Sequence, residues 1–238
     1  MIAVTFALPA ESSLFVSRLQ NCRRVSSRVG DIIFGEISSR SVAVFHTGVG
    51  RKICETKIAG FIREQHPDVL ISSGFAGAAS PNLEVGDLFL AQNFSDQDLV
   101  SLVQRMSGDP LHVGTLFTSP TIVDSASERN EIARKHGADA VDMETEVIAR
   151  ACMKNGTPMF SLRVITDSPG EPFPAPPSVL FDIARQRTDF LEVAAHFAAR
   201  PTALVGMFRF ILQMGRARKI LTNALTKLLE HDSFDRFA

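Results

Sequence analysis

The feature that most constrains the fold of this chain is a regular alternation of short β-rich runs with stretches at helical spacing. IAVTFAL (2–8) has the composition of a buried strand, and a helical stretch at 10–19 follows it. Further along, VLISS (69–73) and PMFSLRVIT (158–166) are equally apolar. Strands that alternate with helices favour a mostly parallel sheet covered on both faces. We therefore predict an α/β fold, a single three-layer α/β/α domain around a mixed, mostly parallel sheet.

The remaining predicted elements continue this alternation. They are a strand pair at 31–37 and 41–46, a glycine turn at 47–50 that leads into a helix, a second glycine turn at 74–82, strands at 85–94 and 113–123, and helices at 127–136, 179–199 and 202–230. The segment 167–178 contains five prolines, which predict a rigid loop because proline excludes regular structure. We assign residues 1–199 to one domain and residues 200–238 to a basic amphipathic helical extension.

The composition argues against several classes of protein. The chain has 238 residues and a formal net charge of −1, so it carries no electrostatic signature of nucleic-acid binding. No apolar run is long enough to predict a membrane span. The three cysteines lack CxxC spacing and the N-terminus lacks a signal-peptide pattern, so we expect a cytoplasmic protein. The six histidines show no HxxxH or HExxH pairing, so we expect neither a metal nor a cofactor.

Acidic and glycine-rich segments follow the ends of the predicted strands. Glu11 comes after the first strand, and TGVG (47–50) and GFAGA (74–78) come after later ones. The stretch VDMETEVIAR (141–150) places several acids where an apolar segment becomes helical, and Asp167 follows the strand at 158–166. In open α/β sheets, ligands bind beyond the carboxyl ends of the strands. We therefore expect these segments to converge on one site.

Each of these features also has a purely structural explanation. Glu11 complements a helix dipole if it lies in a first helical turn, and glycines supply positive φ in tight turns. Neither glycine segment matches GxxxxGK[ST] or GxGxxG. Asp142 is a candidate helix N-cap, and Glu146 is a candidate i,i+4 partner of Arg150. Asp167 precedes Ser-Pro-Gly and suits an Asx turn. These alternatives stay open at the level of the residues alone.

The order of several short segments resembles the nucleoside phosphorylase and nucleosidase family over residues 1 to about 198. The segments are ALPAE (7–11), TGVGRKIC (47–54), PDVLISSGFAGAASPNLEVGDLFLAQ (67–92), VDMETEVIA (141–149) and LRVITD (162–167). They are similar to the branch that contains methylthioadenosine/S-adenosylhomocysteine nucleosidase, in which an adenine nucleoside loses its base to water. The proline-rich segment and the C-terminal tail resemble the hopanoid-associated phosphorylase, which acts on adenosylhopane.

The resemblance implies an enzyme that cleaves the N-glycosidic bond of a purine nucleoside with a 5′ substituent. Positive charge then builds up on the ribose, and carboxylates near the sugar stabilise it. Glu144 would accept hydrogen bonds from the ribose hydroxyls, with Met143 packed against the sugar and Asp142 as an acidic neighbour. Asp167 matches the general acid that protonates N7 of adenine, which requires a pKa above the usual aspartate value of about 3.9. Glu11 matches the glutamate that deprotonates water.

The resemblance also suggests contacts for the nucleophile and the base. Arg163 matches an arginine that holds the water or faces an anion. Ile122 and Val123 fall in the segment expected to stack on the base. Phe75 stands where many relatives have a small hydroxyl residue, which predicts a more apolar pocket. Backbone N–H groups of four glycines are expected to face the nucleophile: Gly48, Gly50, Gly74 and Gly77.

Three questions stay open from the sequence. The acceptor is either water or phosphate, with phosphate then a co-substrate, and a non-catalytic nucleoside-binding protein on the same fold is the alternative to both. Residues 205–229 form a basic amphipathic stretch without an acid, which fits the surface of a membrane or a lipid-linked substrate, or packing onto the domain or a second subunit. Because members of the family self-associate, we expect a homo-oligomer.

Overall fold

The centre of the fold is a mixed sheet of ten strands, seen in a computed structural model that describes residues 1–107, 110–170, 175, 179, 186 and 203–237. In chain order, the strands are β1 (Ile2–Phe6), β2 (Gln20–Ser27), β3 (Gly30–Ile37), β4 (Arg40–His46), β5 (Val69–Ala78), β6 (Leu88–Ala91), β7 (Leu111–Gly114), β8 (Leu116–Thr118), β9 (Ala140–Asp142) and β10 (Met159–Asp167). The helices are α1 (Pro9–Val16), α2 (Arg51–Gln65), α3 (Gln97–Met106), α4 (Ala126–His136), α5 (Thr145–Asn155) and α6 (Ala203–Glu230), with short 3-10 helices at Gln92–Phe94 and Asp232–Phe237.

The strand order is β2-β3-β4-β1-β5-β10-β6-β7, with β9 joining β5 to β8. The four central strands β4, β1, β5 and β10 are parallel, whereas β2 and β3 extend the sheet in antiparallel fashion. This arrangement confirms the predicted mixed, mostly parallel sheet. It also brings the carboxyl ends of β1, β5 and β10 to one edge of the sheet.

Helices cover both faces of the sheet, as the burial of β1 requires. Ile2, Val4 and Phe6 point into one hydrophobic cluster, and Ala3 points into the other. The first cluster is completed by buried side chains of α1, α3 and α6, and the second by those of α2 and α5. A strand buried on both faces reads as a continuous apolar run, because alternate side chains enter opposite cores. The three-layer prediction is confirmed.

Several predicted boundaries are wrong. The segment 74–78 was expected to form a turn, but it continues β5, because it pairs with β10 on one side and with β9 on the other. The strand predicted at 113–123 breaks into the short β7 and β8, followed by a loop. The sequence pattern does not predict β2, because this edge strand is exposed along nearly its whole length and carries no apolar alternation.

The C-terminal part of the chain is described only in part. Most of the loop predicted at 167–178 and nearly all of the helix predicted at 179–199 lie outside the described residues. The helix predicted at 202–230 is α6, and its Leu221, Leu225 and Leu229 are buried in the first cluster. The boundary between a domain of residues 1–199 and an extension of residues 200–238 stays a prediction, but this half of α6 is built into the core. No helix in the described part of the chain has the length and hydrophobicity to cross a bilayer.

Candidate active site

A cavity of about 280 Å³ lies at the edge where β1, β5 and β10 end. Its volume is near the lower end of the range of about 300–1,000 Å³ for small-molecule sites. The residues that line it come from eight segments: Ala7 and Glu11, Val49, Phe75 to Gly77, Ser119 and Thr121 to Val123, Arg129, Val141 to Glu144, Thr166 and Asp167, and Phe210 and Met214 of α6. The wall is therefore mostly apolar, with four carboxyl groups set into it.

Asp142 is the centre of a buried polar network at the start of α5. Its carboxylate accepts hydrogen bonds from the backbone N–H of Thr145 (3.0 Å) and from the hydroxyl of Thr118 (2.8 Å). Arg163 forms an ion pair with it, with 2.9 Å between Nη2 and Oδ2. The same guanidinium donates to the hydroxyls of Ser72 and Thr145. Asp142 therefore holds α5 against β10. The N-cap position of α5 is Glu144 and not Asp142, although the Asp142 carboxylate accepts from the first helical N–H.

Glu144 is buried beside the glycine turn that precedes α2. Its Oε1 accepts a hydrogen bond of 2.7 Å from the backbone N–H of Gly50. Burial, followed by the negative charge of Asp142, raises the pKa of the Glu144 carboxyl to about 8, while the Gly50 hydrogen bond and Arg163 oppose the shift. A carboxyl group held in this way is poised between its two protonation states near neutral pH.

Glu11 lies in the first turn of α1, with its carboxylate turned back over the end of β1. Oε2 accepts hydrogen bonds from the backbone N–H groups of Ala7 (2.9 Å) and Leu8 (3.2 Å). Burial raises the pKa of Glu11, and the nearby positive charge of Arg163 opposes this. Gly74 makes the approach of these two groups feasible, because a Cβ there would lie 2.6 Å from Nη1 of Arg163 and 3.1 Å from Oε2 of Glu11.

Asp167 ends β10, and a buried arginine from α4 contacts it. Arg129 donates a hydrogen bond to the Asp167 carboxylate, and both side chains are almost completely buried. The hydroxyl of Thr166 donates to the other carboxylate oxygen at 2.8 Å. Arg129 lines the cavity but does not belong to any predicted site segment. Its only signal in the sequence is its position on the same helical face as Ile132, the buried apolar residue of α4.

Comparison with known proteins identifies the family. The sequence profile of the phosphorylase superfamily matches residues 1–105 and 92–208. The chain belongs to the phosphorylase superfamily. A 5′-methylthioadenosine/S-adenosylhomocysteine nucleosidase of Staphylococcus aureus is 24% identical over 196 residues, which cover 70% of this chain and 86% of the relative.

Solved structures of superfamily members share the fold. A 5′-methylthioadenosine/S-adenosylhomocysteine nucleosidase from S. pneumoniae, solved with a transition-state inhibitor, has a TM-score of 0.73 at 20% identity and covers 96% of this chain and 98% of its own. The Campylobacter jejuni nucleosidase has a TM-score of 0.74 at 20% identity over 96% of this chain and 98% of its own. A futalosine hydrolase mutant of Helicobacter pylori has a TM-score of 0.64 at 18% identity over 70% and 87%.

Within this superfamily fold, most of the predicted site residues come together. Nine of them line the cavity: Glu11, Phe75, Gly77, Ile122, Val123, Asp142, Met143, Glu144 and Asp167. Arg163 lies behind the wall, where it is paired with Asp142. Their roles in a reaction stay predictions.

The prediction for the first glycine turn is wrong in one respect. The backbone N–H of Gly48 donates to the carbonyl oxygen of Ala7 (3.0 Å), and that of Gly50 donates to Glu144. Because both donors are used within the protein, they do not face an anion. Gly74 likewise does not line the cavity and instead leaves room for Glu11 and Arg163.

Proposed function

We propose that this chain cleaves the N-glycosidic bond of an adenine nucleoside with a 5′ substituent and releases the base. The observation that carries the proposal is the enclosure of Glu144 and Asp167 in one mostly apolar cavity. Such a bond breaks through an oxocarbenium-like transition state, which needs negative charge near the ribose and a proton for the leaving base. The relatives in this superfamily include nucleosidases that act on 5′-methylthioadenosine and S-adenosylhomocysteine, which supports the same class of substrate.

We assign a role in the reaction to each of the following side chains that line the cavity. Glu144 accepts hydrogen bonds from the ribose hydroxyls, and Met143 packs against the sugar. Phe75, Ile122 and Val123 supply apolar surface for the base, whose N7 receives a proton from Asp167. Glu11 takes a proton from the nucleophile, and burial raises the pKa of its carboxyl, which makes the carboxylate a stronger base.

Water fits the site better than phosphate as the acceptor. The carboxyl groups of Glu11, Asp142, Glu144 and Asp167 line one cavity, and those of them that are ionised repel a phosphate dianion. Within the described residues, the two guanidinium groups at the site are paired with carboxylates, Arg163 with Asp142 and Arg129 with Asp167. We therefore propose hydrolysis, with phosphorolysis as the second candidate.

A substrate panel tests both statements. Purified protein is incubated with methylthioadenosine, S-adenosylhomocysteine, inosine and adenosylhopane, with and without inorganic phosphate, and the released base and sugar are identified. We expect free base and free sugar at the same rate in both buffers. Turnover that depends on phosphate and yields a sugar 1-phosphate rejects hydrolysis. If no nucleoside releases its base even at high protein concentration, the enzymatic proposal fails.

We also propose that the N-terminal part of α6 meets an anionic lipid surface that presents the substrate. Phe210 and Met214 line the cavity, while the other side of this segment exposes Val205, Phe208 and Ile211. Each of these three side chains is more than half exposed, at 61%, 65% and 57%. Between residues 205 and 219 of the same helix, the exposed positions include three cations and no acid: Arg209, Arg216 and Lys219. Apolar side chains flanked by cations are the composition of an interfacial helix.

Flotation with liposomes tests this second proposal. The full chain is expected to float with vesicles that contain anionic lipid and to float less with neutral vesicles. The double substitution Phe208→Ser and Ile211→Ser removes exposed apolar surface and is expected to abolish flotation. Equal and negligible flotation of both proteins contradicts the proposal. If the double substitution lowers the molecular mass measured by sedimentation, the same surface binds a second copy of the chain instead.

A further inference from the structure

Arg129 joins three segments that line the cavity on the side of Asp167. Its Nη1 donates to the carbonyl oxygen of Ala78 at the end of β5 (2.9 Å), and its Nη2 donates to that of Val123 (2.8 Å). Nη2 also contacts the Asp167 carboxylate, and the arginine side chain is only 1% exposed. The Nε–H group is buried and has no hydrogen-bond partner among the residues that the structure describes. An arginine in this position fixes the loop before α4 and the end of β10 relative to each other.

Gly77 is what allows the arginine to reach the carboxylate. It is the direct neighbour of Asp167 in the pairing of β5 with β10. A Cβ at Gly77 would collide with Nη1 of Arg129 and lie 2.8 Å from Oδ2 of Asp167. The absence of a side chain at this position therefore creates the space in which the two charged groups meet.

An adjacent guanidinium has two effects on a carboxyl group that donates a proton. It favours the ionised carboxylate, so a smaller fraction of the group is protonated at a given pH. It also makes the protonated group a stronger acid, because it stabilises the carboxylate left after proton transfer. Among the residues that the structure describes, the other ionisable groups that line the cavity are Glu11, Asp142 and Glu144, which act in the opposite direction when they are ionised, and Arg163 lies behind them in its pair with Asp142.

We propose that Arg129 is a positioning residue that holds Asp167 in place and sets the pH range in which Asp167 protonates the leaving base. The inference rests on the proposed function. As the C1′–N9 bond breaks and its electron pair moves to the purine, the proton of Asp167 passes to N7. Asp167 is left as a carboxylate, and Arg129 neutralises it.

The test is the pH dependence of kcat/KM for methylthioadenosine in the wild-type protein and in Arg129→Met. Activity that needs protonated Asp167 falls as the pH rises. This fall in activity is the alkaline limb of the pH profile. Removal of the cation moves the limb to higher pH, by roughly 1–3 units. It also lowers the plateau at low pH, because the acid is weaker. Arg134→Met is the matched control, since it removes the same charge from an exposed position of the same helix, and its limb is expected to coincide with that of the wild type.

Two further variants keep the test decisive if Arg129→Met does not fold. Arg129→Lys keeps the positive charge, and its limb is expected to stay near that of the wild type. Gly77→Ala keeps both charged groups but forces them apart, and its limb is expected to move upward by less than that of Arg129→Met. Active, folded variants whose limbs all coincide with the wild type overturn the inference. A wild-type protein that releases no base from any nucleoside instead rejects the proposed function.

Discussion

Substitution of Glu144 by glutamine should make the stability of the protein less sensitive to alkaline pH. The carboxyl group is only 7% exposed, and burial together with Asp142 raises its pKa from 4.5 to about 8. The folded protein therefore retains a proton on Glu144 across a pH range in which the unfolded chain has lost it. The contribution of this group to stability is fully present below pH 4.5 and is lost progressively as the pH rises to about 8.

The size of the effect follows from the shift. A difference of about 3.5 pKa units corresponds to about 5 kcal/mol, at about 1.4 kcal/mol per unit. Glutamine has the shape of the protonated acid and keeps an oxygen that accepts the Gly50 hydrogen bond, but it has no proton to lose. The free energy of unfolding of Glu144→Gln minus that of the wild type should therefore increase from pH 5 to pH 9 by several kcal/mol.

Urea denaturation at a series of pH values measures this difference. Glu128→Gln is the matched control, because it removes an exposed glutamate and changes the net charge by the same amount. The reasoning is refuted if the difference between Glu144→Gln and the wild type is the same at pH 5 and pH 9, or if it decreases as the pH rises.

Three other predictions concern activity, packing and thiol exposure. Asp167→Asn should lower kcat by roughly 10²- to 10⁴-fold while the protein still binds nucleoside, and single-turnover kinetics with a binding measurement check this. Gly74→Ala should destabilise the fold by roughly 1–3 kcal/mol, since φ is +143° and the new methyl group crowds a guanidinium and a carboxylate. Gly137→Ala, at φ +60° in open space, is its control for backbone strain alone, and thermal melting compares them. A thiol reagent should label Cys22 rapidly in the native protein and the two buried cysteines only after denaturation.

The convergence of the site is predictable from the sequence because its members follow strand ends. Glu11 and Asp167 are far apart in the chain, but the parallel pairing of β1 and β10 with β5 brings them to one edge of the sheet. Glu144 reaches the same edge because it follows β9, which pairs with the end of β5 in antiparallel fashion. The burial of β1 and β10 on both faces is also predictable, since apolar residues predominate in both strands. The order of the elements and the hydrophobic pattern are therefore sufficient to predict where the site lies and which strands are buried.

The finer contacts are not predictable in the same way. The composition of a glycine-rich segment such as 74–78 fits a turn, and it equally fits a strand that leaves room for neighbouring side chains. Only the pairing with β10 shows that this segment is a strand. The partner of Asp167 is equally difficult to predict from the sequence. Arg129 precedes it by 38 positions, and only its place on the helical face of Ile132 distinguishes this arginine from the exposed cations further along α4.

Because α6 is attached to the core through its C-terminal half, the residues with which it lines the cavity can change independently of the carboxyl groups at the site. Near its C-terminal end, the buried Arg40 of β4 donates to the carbonyl oxygen of Leu229, and this half of the helix is anchored in the core. The helix has 28 residues, so it is about 42 Å long, and its distant N-terminal part supplies Phe210 and Met214 to the cavity wall. Substitutions in that distal part can reshape the cavity without disturbing the elements that position Glu11, Glu144 and Asp167. Selection can therefore change the shape of the cavity while the carboxyl groups to which we assign the proposed reaction stay fixed.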